Sequence, residues 1–474
     1  MRAHPTPRHA LPHALPHALR RVPLLAALAA ACAAAACREV TIPNYNSPNV
    51  DQLTTAPNAA TVNTTALGLL VGARATVGAY ATTLGVLGRE VYNLDQAEPR
   101  NVLAFLVGPL EPGGFGTDMG WTATYRQLLT AFTILEAVDR VPDYTAQQKE
   151  AVRGFTKTFM AMAYIDQLRI RDTFGIVLEV DPSAQQLGPF VTREEGYARA
   201  AQLLDEARTH LGAGGAAFPF ALHSGFAGFN TPATFVRFNR AIKARMEAYR
   251  QRWPDVLAAL GESFLNTASP TPATLAAGVY HVYSTTSGDA QNPLFDPAPR
   301  ALTAVPSFLT DARRQPDGSP DRRASAKAVV SAVSLSTQGV TSNVRITAYA
   351  SNTAPVPIIK NEELILLRAE ARLATGDRAG AIADLNLVRT VSGGLAPLPA
   401  AFAGDLVDEI LYDRRYSLFY EYGHRWVDLR RYGRLSQLQK ALPSHRVFPI
   451  VPIPVDECNQ RTPAPRGCVQ VSGS

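Results

Sequence analysis

The chain has 474 residues, of which 46% are hydrophobic and 18% charged, so it can bury a large core and is not an intrinsically disordered protein. The formal charge is +6, but four basic residues and no acidic residue precede Cys37, namely Arg2, Arg8, Arg20 and Arg21. Without them the net charge is +6 − 4 = +2. This small remainder argues against a nucleic-acid or acidic-lipid partner.

The first residues have the pattern of an export signal. Arg20 and Arg21 precede an apolar run from Val22 to Ala36 that is too short to span a bilayer but suits the central part of a signal peptide. The His-Ala-Leu-Pro repeat before it contains four of the nine histidines. We interpret that repeat as an extended n-region, or as the result of a wrongly assigned start codon, rather than as a metal tract. Residues 1–36 are therefore predicted to be a signal peptide.

Cys37 follows three alanines, and small residues directly before a cysteine resemble a bacterial lipobox. This pattern predicts lipidation of Cys37 as the first residue of an exported lipoprotein, followed by an extended tether over 37–57 that is rich in Asn, Pro and Thr. Two alternatives stay open, which are lipidation at Cys32 and ordinary cleavage that releases a soluble product.

The rest of the chain, 58–474, is predicted to form a single, mostly helical domain. Helical periodicity marks the segments 66–83, 121–141, 146–170, 192–211 and 231–253. Thr145 and Thr231 are candidate N-caps, and Thr192 with Glu195 forms a capping box. Glycines close several of these segments. Helices that alternate with short stops are typical of stacked helical hairpins.

An irregular insert is predicted between about 269 and 357, where Pro, Ser, Thr and Asp become frequent. Within it, VYHVYSTT (279–286) and VRITAYA (344–350) alternate like strands. A long irregular segment inside a helical domain usually either carries function or covers the core.

The stretch from Asn361 to Leu435 contains three helical patterns in succession. Asn361 is a candidate N-cap of the first, and a second begins at Asp377 and stops at Gly393. The connection of one or two residues forces an antiparallel hairpin, as in a tetratricopeptide-like unit. One such unit cannot bury its own apolar faces, so further helical pairs are expected upstream.

The third pattern has the highest density of charge and aromatics in the chain, and His424 near Glu421 suggests a general base. We favour a structural role, because Arg and Asp at i, i+3 form ion pairs, Trp426 can anchor packing, and neither a nucleophile nor a metal set accompanies them. Glu370 and Arg389 are expected to form an inter-helix polar pair. The predicted structural residues are Glu370, Arg389, Glu421, Arg425, Trp426, Asp428 and Arg431.

Cys458 and Cys468 lie close together in a Pro-rich tail of a chain that is predicted to be exported. A disulfide between them is expected. No His or further Cys nearby completes a tetrahedral set, so no metal or other cofactor is predicted.

Three groups of motifs resemble the SusD/RagB family of outer-membrane nutrient-binding lipoproteins. The first is Arg368 to Ala371, Gly376-Asp377, Ala381, Leu385, Asn386 and Arg389. The second is Glu421, Gly423, His424, Arg425, Trp426, Asp428, Leu429 and Arg431, in which Tyr422 stands between the Glu and the Gly, unlike the family pattern. The third is Phe448-Pro449, Pro452-Ile453-Pro454, Glu457 and Asn459.

The resemblance implies a mostly α fold of tetratricopeptide-like hairpins with long irregular loops and minor β structure. It also implies a lipid-anchored protein on the cell surface that caps a SusC-like TonB-dependent transporter in the outer membrane. Members of the family capture oligosaccharides, or in some cases peptides, and are not enzymes. The resemblance also implies that the charged motif around Arg425 and Asp428 stabilises the fold and does not bind ligand.

Sugar binding requires an aromatic platform beside amide, carboxylate or guanidinium groups, because a pyranose has an apolar C–H face and a hydroxyl rim. Two loop regions contain that combination. The first contains Arg89, Tyr92, Asn93, Asp95 and Gln96, and the second contains Tyr280, Tyr283, Asn292 and Phe295. Phe226 and Phe229 are weaker candidates.

Two other functional classes were considered. The main alternative is a periplasmic tetratricopeptide-like scaffold that binds protein partners and needs neither surface exposure nor a small-molecule pocket. A hydrolase is less favoured, because the sequence lacks convincing paired carboxylates and a nucleophile elbow.

Overall fold

Most of the chain is α-helical, as the sequence predicts. The computed structural model describes residues 50–181, 183, 186–297 and 301–474. The predicted signal peptide and both candidate lipidation sites, Cys37 and Cys32, lie outside the described residues. The main helices are α1 (Val50–Thr55), α2 (Ala59–Ala75), α3 (Trp121–Ala137), α4 (Ala146–Arg171), α5 (Arg193–Gly212), α6 (Pro232–Tyr249), α7 (Trp253–Gly261), α8 (Asn361–Ala374), α9 (Arg378–Val388), α10 (Leu406–Ser417) and α11 (His424–Arg431).

Shorter helical segments connect or extend these helices. Single α-helical turns lie at Val77–Ala79, Gly85–Leu87, Arg100–Val102, Pro272–Ala276, Ser307–Thr310, Arg322–Lys327 and Val455–Asn459. π-Helical turns lie at Tyr80–Leu84, Leu103–Val107 and Arg389–Gly393, and 3-10 turns at Val138–Arg140, Asp172–Phe174, Ser224–Phe226 and Leu435–Gln437.

Successive helices pack on one another along the chain, from α2 to α7 and again from α8 to α9. Helices α4 and α5 begin at capping boxes, in which the Thr145 and Thr192 hydroxyls accept from the backbone N–H three residues on. Buried aromatics join α4 to α6: the rings of Phe155 and Phe235 lie 5.5 Å apart, and Phe226 stacks on Phe235 at 5.8 Å. Helix α8 packs on α6 and α7, so the C-terminal hairpin belongs to the same domain.

The predicted hairpin of α8 and α9 is present. Gly376, at a φ of +93°, makes the turn, and the Asp377 carboxylate accepts from Gly380 N–H at 2.8 Å to cap α9. The predicted N-cap of α8 is wrong, because Lys360 occupies that position and Asn361 is the first helical residue. The Asn361 side chain is instead buried, where it donates to the carbonyls of Asn266 and Thr274.

The predicted extended tether is wrong over its last part, because Val50–Thr55 forms helix α1. Leu53 is buried, and the Arg140 guanidinium donates to the carbonyls of Leu53 and Thr54 at 3.3 and 2.6 Å. These bonds satisfy carbonyls at the helix end that have no intrahelical partner. Burial of one leucine and this capping thus stabilise a helix in a segment whose composition suggests a loop.

Eight short strands form three antiparallel sheets in the described chain. They are β1 (Val91–Asn93), β2 (Ile176–Val177), β3 (Phe190–Val191), β4 (Gly278–His281), β5 (Leu302–Ala304), β6 (Ala328–Thr337), β7 (Val340–Ile346) and β8 (Val356–Lys360). The largest sheet has the order β1-β5-β7-β6, while β2 pairs with β3 and β4 with β8. The two predicted strands of the insert are present in part, since β4 ends at His281 and β7 ends at Ile346.

Strand β6 is the outer edge of the four-stranded sheet, and its pairing with β7 is interrupted. Val330 faces Val344 and Leu335 faces Ser342, so the residues between 330 and 335 bulge outward. Val330 and Val333 on this strand are exposed.

The C-terminal tail is held by a disulfide and by backbone pairing. Cys458 and Cys468 are bonded, with Cα atoms 5.6 Å apart. Val447 and Ser474 exchange backbone hydrogen bonds, and Val471 does the same with Leu110. The tail therefore folds back onto the domain without a long helix of its own.

Candidate functional site

The charged residues of the C-terminal motif lie inside the molecule. Arg414 donates to Asp428 at 2.6 Å and lies 3.3 Å from Glu370, and Arg431 contacts the same two carboxylates at 3.0 and 2.5 Å. All four side chains are at most 6% exposed. Burial alone would raise the pKa of Asp428, but Arg414 and Arg431 hold it below its usual value. Two cations and two anions therefore form a closed network that joins α8, α10 and α11.

Arg389 does not pair with Glu370 as predicted. It donates to Glu409 on α10 at 2.8 Å, and Arg313 donates to the other oxygen of the same carboxylate at 2.8 Å. Glu370 has a different cationic partner because α10 and α11, rather than α9, cover its side of α8.

The other predicted structural residues are also engaged. Glu421 accepts from the buried ammonium of Lys360, Arg425 donates to Gly88 O at 3.1 Å, and Trp426 Nε1–H donates to Phe448 O at 2.7 Å. His424 is buried, and burial together with the nearby Arg245 lowers its pKa well below the usual value. This imidazole is neutral at pH 7 and lies in the core, so the motif offers a brace between helices rather than an acid and base for chemistry.

The first predicted ligand set lies mostly in the interior. Arg89 is 2% exposed and donates to the carbonyls of Val86 and Arg446 at 2.9 and 2.5 Å, and burial lowers its pKa to about 10. Tyr92 is 4% exposed and lies on strand β1, an edge strand that pairs with β5. Asn93 and Asp95 are half-buried, and both side chains accept from backbone N–H groups of their own turn. Gln96 is exposed and donates to Ser336 O.

The second predicted set divides between core and surface. Tyr283 is buried under the guanidinium of Arg74, which lies 5.4 Å from the ring centre. Asn292 is buried, where it donates to Ala354 O and accepts from Leu294 N–H, both at 2.8 Å. Phe295 is half-buried, and the weaker candidate Phe226 is fully buried. Tyr280, however, is half-buried and lines a depression at the surface.

This depression has a volume of about 470 Å³ and is open to solvent. Segments that are distant in sequence, including strand β4 and two short helical turns, form its wall, which contains Ser224, Gly225, Ala227, Phe229, Ala273, Ala276, Ala277, Gly278, Tyr280, Val282 and Pro355. No residue in that wall is charged. Two aromatic rings, several alanines and one serine therefore make a mainly apolar surface with few polar groups, which we call the aromatic depression.

Local contacts fix the two rings. The Tyr280 hydroxyl donates to Ala276 O, and Phe229 packs edge to face on Phe264 with ring centres 4.9 Å apart. Gly225 approaches the backbone of strand β4 so closely that a Cβ atom there would lie 2.0 Å from Tyr280 O. The wall thus depends on a glycine at a close backbone approach.

A charged pair braces the edge of the aromatic depression. Arg74, near the end of α2, donates to Val282 O at 2.6 Å and pairs with Asp289. Hydrogen bonds from Ser284 and Arg74 lower the pKa of Asp289 to about 2, so this carboxylate is ionised at neutral pH. Nearby, His223 accepts from Gly225 N–H at 3.1 Å, and burial lowers its pKa, so the imidazole is neutral. These bonds hold the loops that form the wall.

The aromatic depression can offer a flat apolar face to a sugar ring and a sparse polar rim to its hydroxyls. Within the described residues there is no cluster of three or more His, Cys, Asp or Glu side chains that could hold a metal ion. Sequence reasoning identified Tyr280 and, more weakly, Phe229 among these residues. It missed Ser224 and the alanines, because small residues on separate loops carry no sequence signal before the fold brings them together.

Comparisons with known proteins agree with this architecture. Residues 333–457 match the model of the SusD family. No curated protein matches the chain. Among solved structures, the chain is similar to NanU of B. fragilis, at 15% identity and a TM-score of 0.65, over 91% of this chain and 99% of that one.

Two further similar structures are surface glycan-binding proteins A. For that of Bacteroides uniformis the identity is 17% and the TM-score 0.60, over 82% of this chain and 93% of that one. The protein of Bacteroides thetaiotaomicron was solved in complex with laminarihexaose. Its identity to this chain is 12% and the TM-score is 0.62, over 81% of this chain and 92% of that one. The fold is thus that of SusD-like proteins. The match to the SusD family model covers the part of the chain that contains the C-terminal motifs.

Proposed function

We propose that the protein is a non-catalytic carbohydrate-binding protein whose ligand occupies the aromatic depression. The observation that carries this proposal is an open, uncharged cavity with two half-buried aromatic rings, Phe229 on a loop and Tyr280 on strand β4. Sugar C–H faces pack on such rings, and the absence of charge from the wall suits a neutral oligosaccharide. The match of residues 333–457 to the SusD family model and the laminarihexaose bound to one similar structure support the same class of ligand.

An oligosaccharide is favoured over a peptide for a physical reason. The ends and many side chains of a peptide are charged, and the wall contains no ion to pair with them. A sugar needs only ring stacking and hydrogen bonds, which the Ser224 hydroxyl and backbone groups can supply. The peptide ligands of some family members therefore fit this depression less well.

The proposed setting is the cell surface. Cleavage after residue 36 and lipidation of Cys37 would anchor the protein to the outer membrane, where it would deliver its ligand to a SusC-like TonB-dependent transporter. In a Cys37→Ser variant we expect the protein to leave the membrane fraction, whereas a Cys32→Ser variant stays bound. Protease treatment of intact cells should digest the wild-type protein. Protection from the protease would instead support a periplasmic scaffold.

Binding can be tested by isothermal titration of the mature protein against a panel of neutral oligosaccharides. We expect Phe229→Ala and Tyr280→Ala each to weaken binding by at least about tenfold, which corresponds to about 1.4 kcal/mol. Phe115→Ala is a matched control, because Phe115 is also a half-buried aromatic residue but lies outside the depression. Degradation of any ligand by the pure protein would overturn the non-catalytic assignment. If Phe115→Ala weakened oligosaccharide binding as much as Phe229→Ala and Tyr280→Ala do, the aromatic depression would not be the binding site.

A further inference from the structure

A second cavity, of about 210 Å³, lies where four helices meet. The end of α4, the start of α5, the end of α6 and helix α11 form its wall. Four of its nine lining residues are arginines: Arg193, Arg250, Arg430 and Arg431. It shares no lining residue with the aromatic depression, and we call it the arginine cleft.

The four arginines of the cleft differ in their counter-charge. Arg250 pairs with Glu194 and Glu247, and Arg431 pairs with Glu370 and Asp428, none of which lines the cleft. Asp172 is the only acidic lining residue, and it serves two cations, with Arg193 at 2.8 Å and Arg430 at 3.4 Å. The Arg430 side chain is only 13% exposed, and burial lowers its pKa, as expected for a guanidinium with too little counter-charge. An added anion would supply a second negative charge to Arg193 and Arg430, which share the single carboxylate of Asp172.

Hydrogen-bond donors in the wall also lack acceptors. Arg250 is bonded to Glu194 and Glu247 through its terminal nitrogens, but its Nε–H has no partner in the described structure. The hydroxyl of the adjacent Tyr249 also has no hydrogen-bond partner among the described residues, and Tyr249 is only 8% exposed. Buried donors without partners are rare and costly in proteins. These two donors belong to consecutive lining residues but do not contact solvent, so an acceptor in the cleft reaches them only after a local shift of the wall.

The backbone at two edges of the cleft is strained. Asp172 and Gln251 are not glycines, yet their φ angles are +42° and +57°. The strained conformation of Asp172 places a carboxylate between Arg193 and Arg430, and that of Gln251 turns the chain directly after Arg250. Strain of this kind persists where the surrounding structure fixes it, and it is concentrated at binding sites.

We propose that the arginine cleft binds a small oxyanion, which is a carboxylate or a sulfate or phosphate group, free or carried by a small molecule. Such a group has only acceptors and matches the planar fork of donors that a guanidinium presents. Arg193, whose side chain is 48% exposed, stands at the opening, and Arg250 and Arg430 lie deeper, at 7% and 13%. The site is independent of the proposed carbohydrate surface.

The test is isothermal titration of the mature protein with glucuronate, with inorganic sulfate and with glucose, at constant ionic strength. We expect saturable binding of at least one anion and none of glucose at the same concentration. Arg193→Gln should weaken anion binding by at least tenfold. Arg208→Gln is the matched control, because Arg208 lies on the same helix, is 52% exposed and has one carboxylate partner, Glu262. Its effect should stay within twofold.

A second pair of variants separates binding from folding. Tyr249→Phe removes a hydroxyl without a protein partner, so the melting temperature should not fall while anion affinity does. Tyr283→Phe removes another buried hydroxyl without a partner in the described chain, away from the cleft, and should leave anion affinity unchanged. Tighter binding of glucuronate would indicate an acidic sugar as ligand, and tighter binding of sulfate a free inorganic anion. No saturable anion binding, or equal effects of Arg193→Gln and Arg208→Gln, would overturn the proposal.

Discussion

The C-terminal motif and the aromatic depression are opposites in sequence and in structure. The motif, between Asn361 and Arg431, has the most conspicuous residues of the chain, yet the arginines and carboxylates of its central network, Glu370, Arg414, Asp428 and Arg431, are buried and neutralise one another. The aromatic depression consists largely of Ala, Gly and Ser on loops, yet these residues are the ones in contact with solvent.

The difference shows that a dense group of charges can be part of the packing of a fold. A buried ion costs several kcal/mol of desolvation, so each must have partners, and only the correct arrangement of α8, α10 and α11 supplies them. The surface that meets a ligand has no such requirement. Substitutions should therefore separate the two regions, with stability lost in one and affinity in the other.

The largest effect is expected inside the motif. Asp428→Ala removes the carboxylate that Arg414 and Arg431 share and leaves two buried cations with Glu370 alone, which should lower the free energy of unfolding by about 3–5 kcal/mol. Urea denaturation measures this loss. As a control, Asp408→Ala breaks an exposed pair with Arg434 and should cost about 1 kcal/mol or less. Similar losses in both variants would mean that the buried network does not hold the helices together.

A smaller effect is expected from the backbone contact under the aromatic depression. In Gly225→Ala the new methyl group meets Tyr280 O, so strand β4 or the loop must move, at a cost of about 1–3 kcal/mol. Because that movement displaces the Tyr280 ring, oligosaccharide affinity should also fall.

Gly212→Ala is the matched control, since no atom lies within 4 Å of a Cβ atom at that position. It should leave affinity unchanged and add up to about 1 kcal/mol of stability, because alanine favours a helix more than glycine does. If Gly225→Ala kept full affinity, the wall would not depend on this contact.

The smallest effect concerns Glu90, which is 2% exposed beside the motif, with Arg425 among its charged neighbours. Burial raises its pKa from 4.5 to about 8 in the folded protein. The stability that the protonated acid contributes is therefore complete below about pH 4.5 and is lost as the pH rises through about 8. The slope between these values is at most about 1.4 kcal/mol per pH unit.

Glu90→Gln should flatten this pH dependence. The free energy of unfolding of the wild-type protein should fall from pH 6 to pH 7 relative to that of the variant, and denaturation at both values measures the difference. A wild-type protein that gained stability over this range relative to the variant would show that Arg425 keeps Glu90 ionised.

Local rules predicted much of the fold. The capping boxes at Thr145 and Thr192 set the starts of α4 and α5, because a cap needs only residues three apart. Partners far apart were not predictable in the same way. Arg389 pairs with Glu409 because α10 lies beside it, and no periodicity within α9 specifies that helix.

The ligand candidates show the same limit. Tyr92 and Tyr280 both lie on short strands next to polar residues, so the sequence alone predicts ligand binding equally for both. Strand β1 lies inside the fold and buries Tyr92 to 4%, whereas β4 borders the surface and leaves Tyr280 half-buried. Which strand is covered depends on the packing of the whole domain, and local composition does not contain that information.

The interrupted pairing of β6 and β7 has a consequence for behaviour in concentrated solution. Strand β6 has ten residues, carries no charge and exposes Val330 and Val333 at the edge of a sheet, which are the features that favour association with other strands. The outward bulge between 330 and 335 breaks the row of free N–H and C=O groups into two short pieces. A straight strand of another molecule cannot pair along the whole edge, so we expect this irregularity to oppose aggregation.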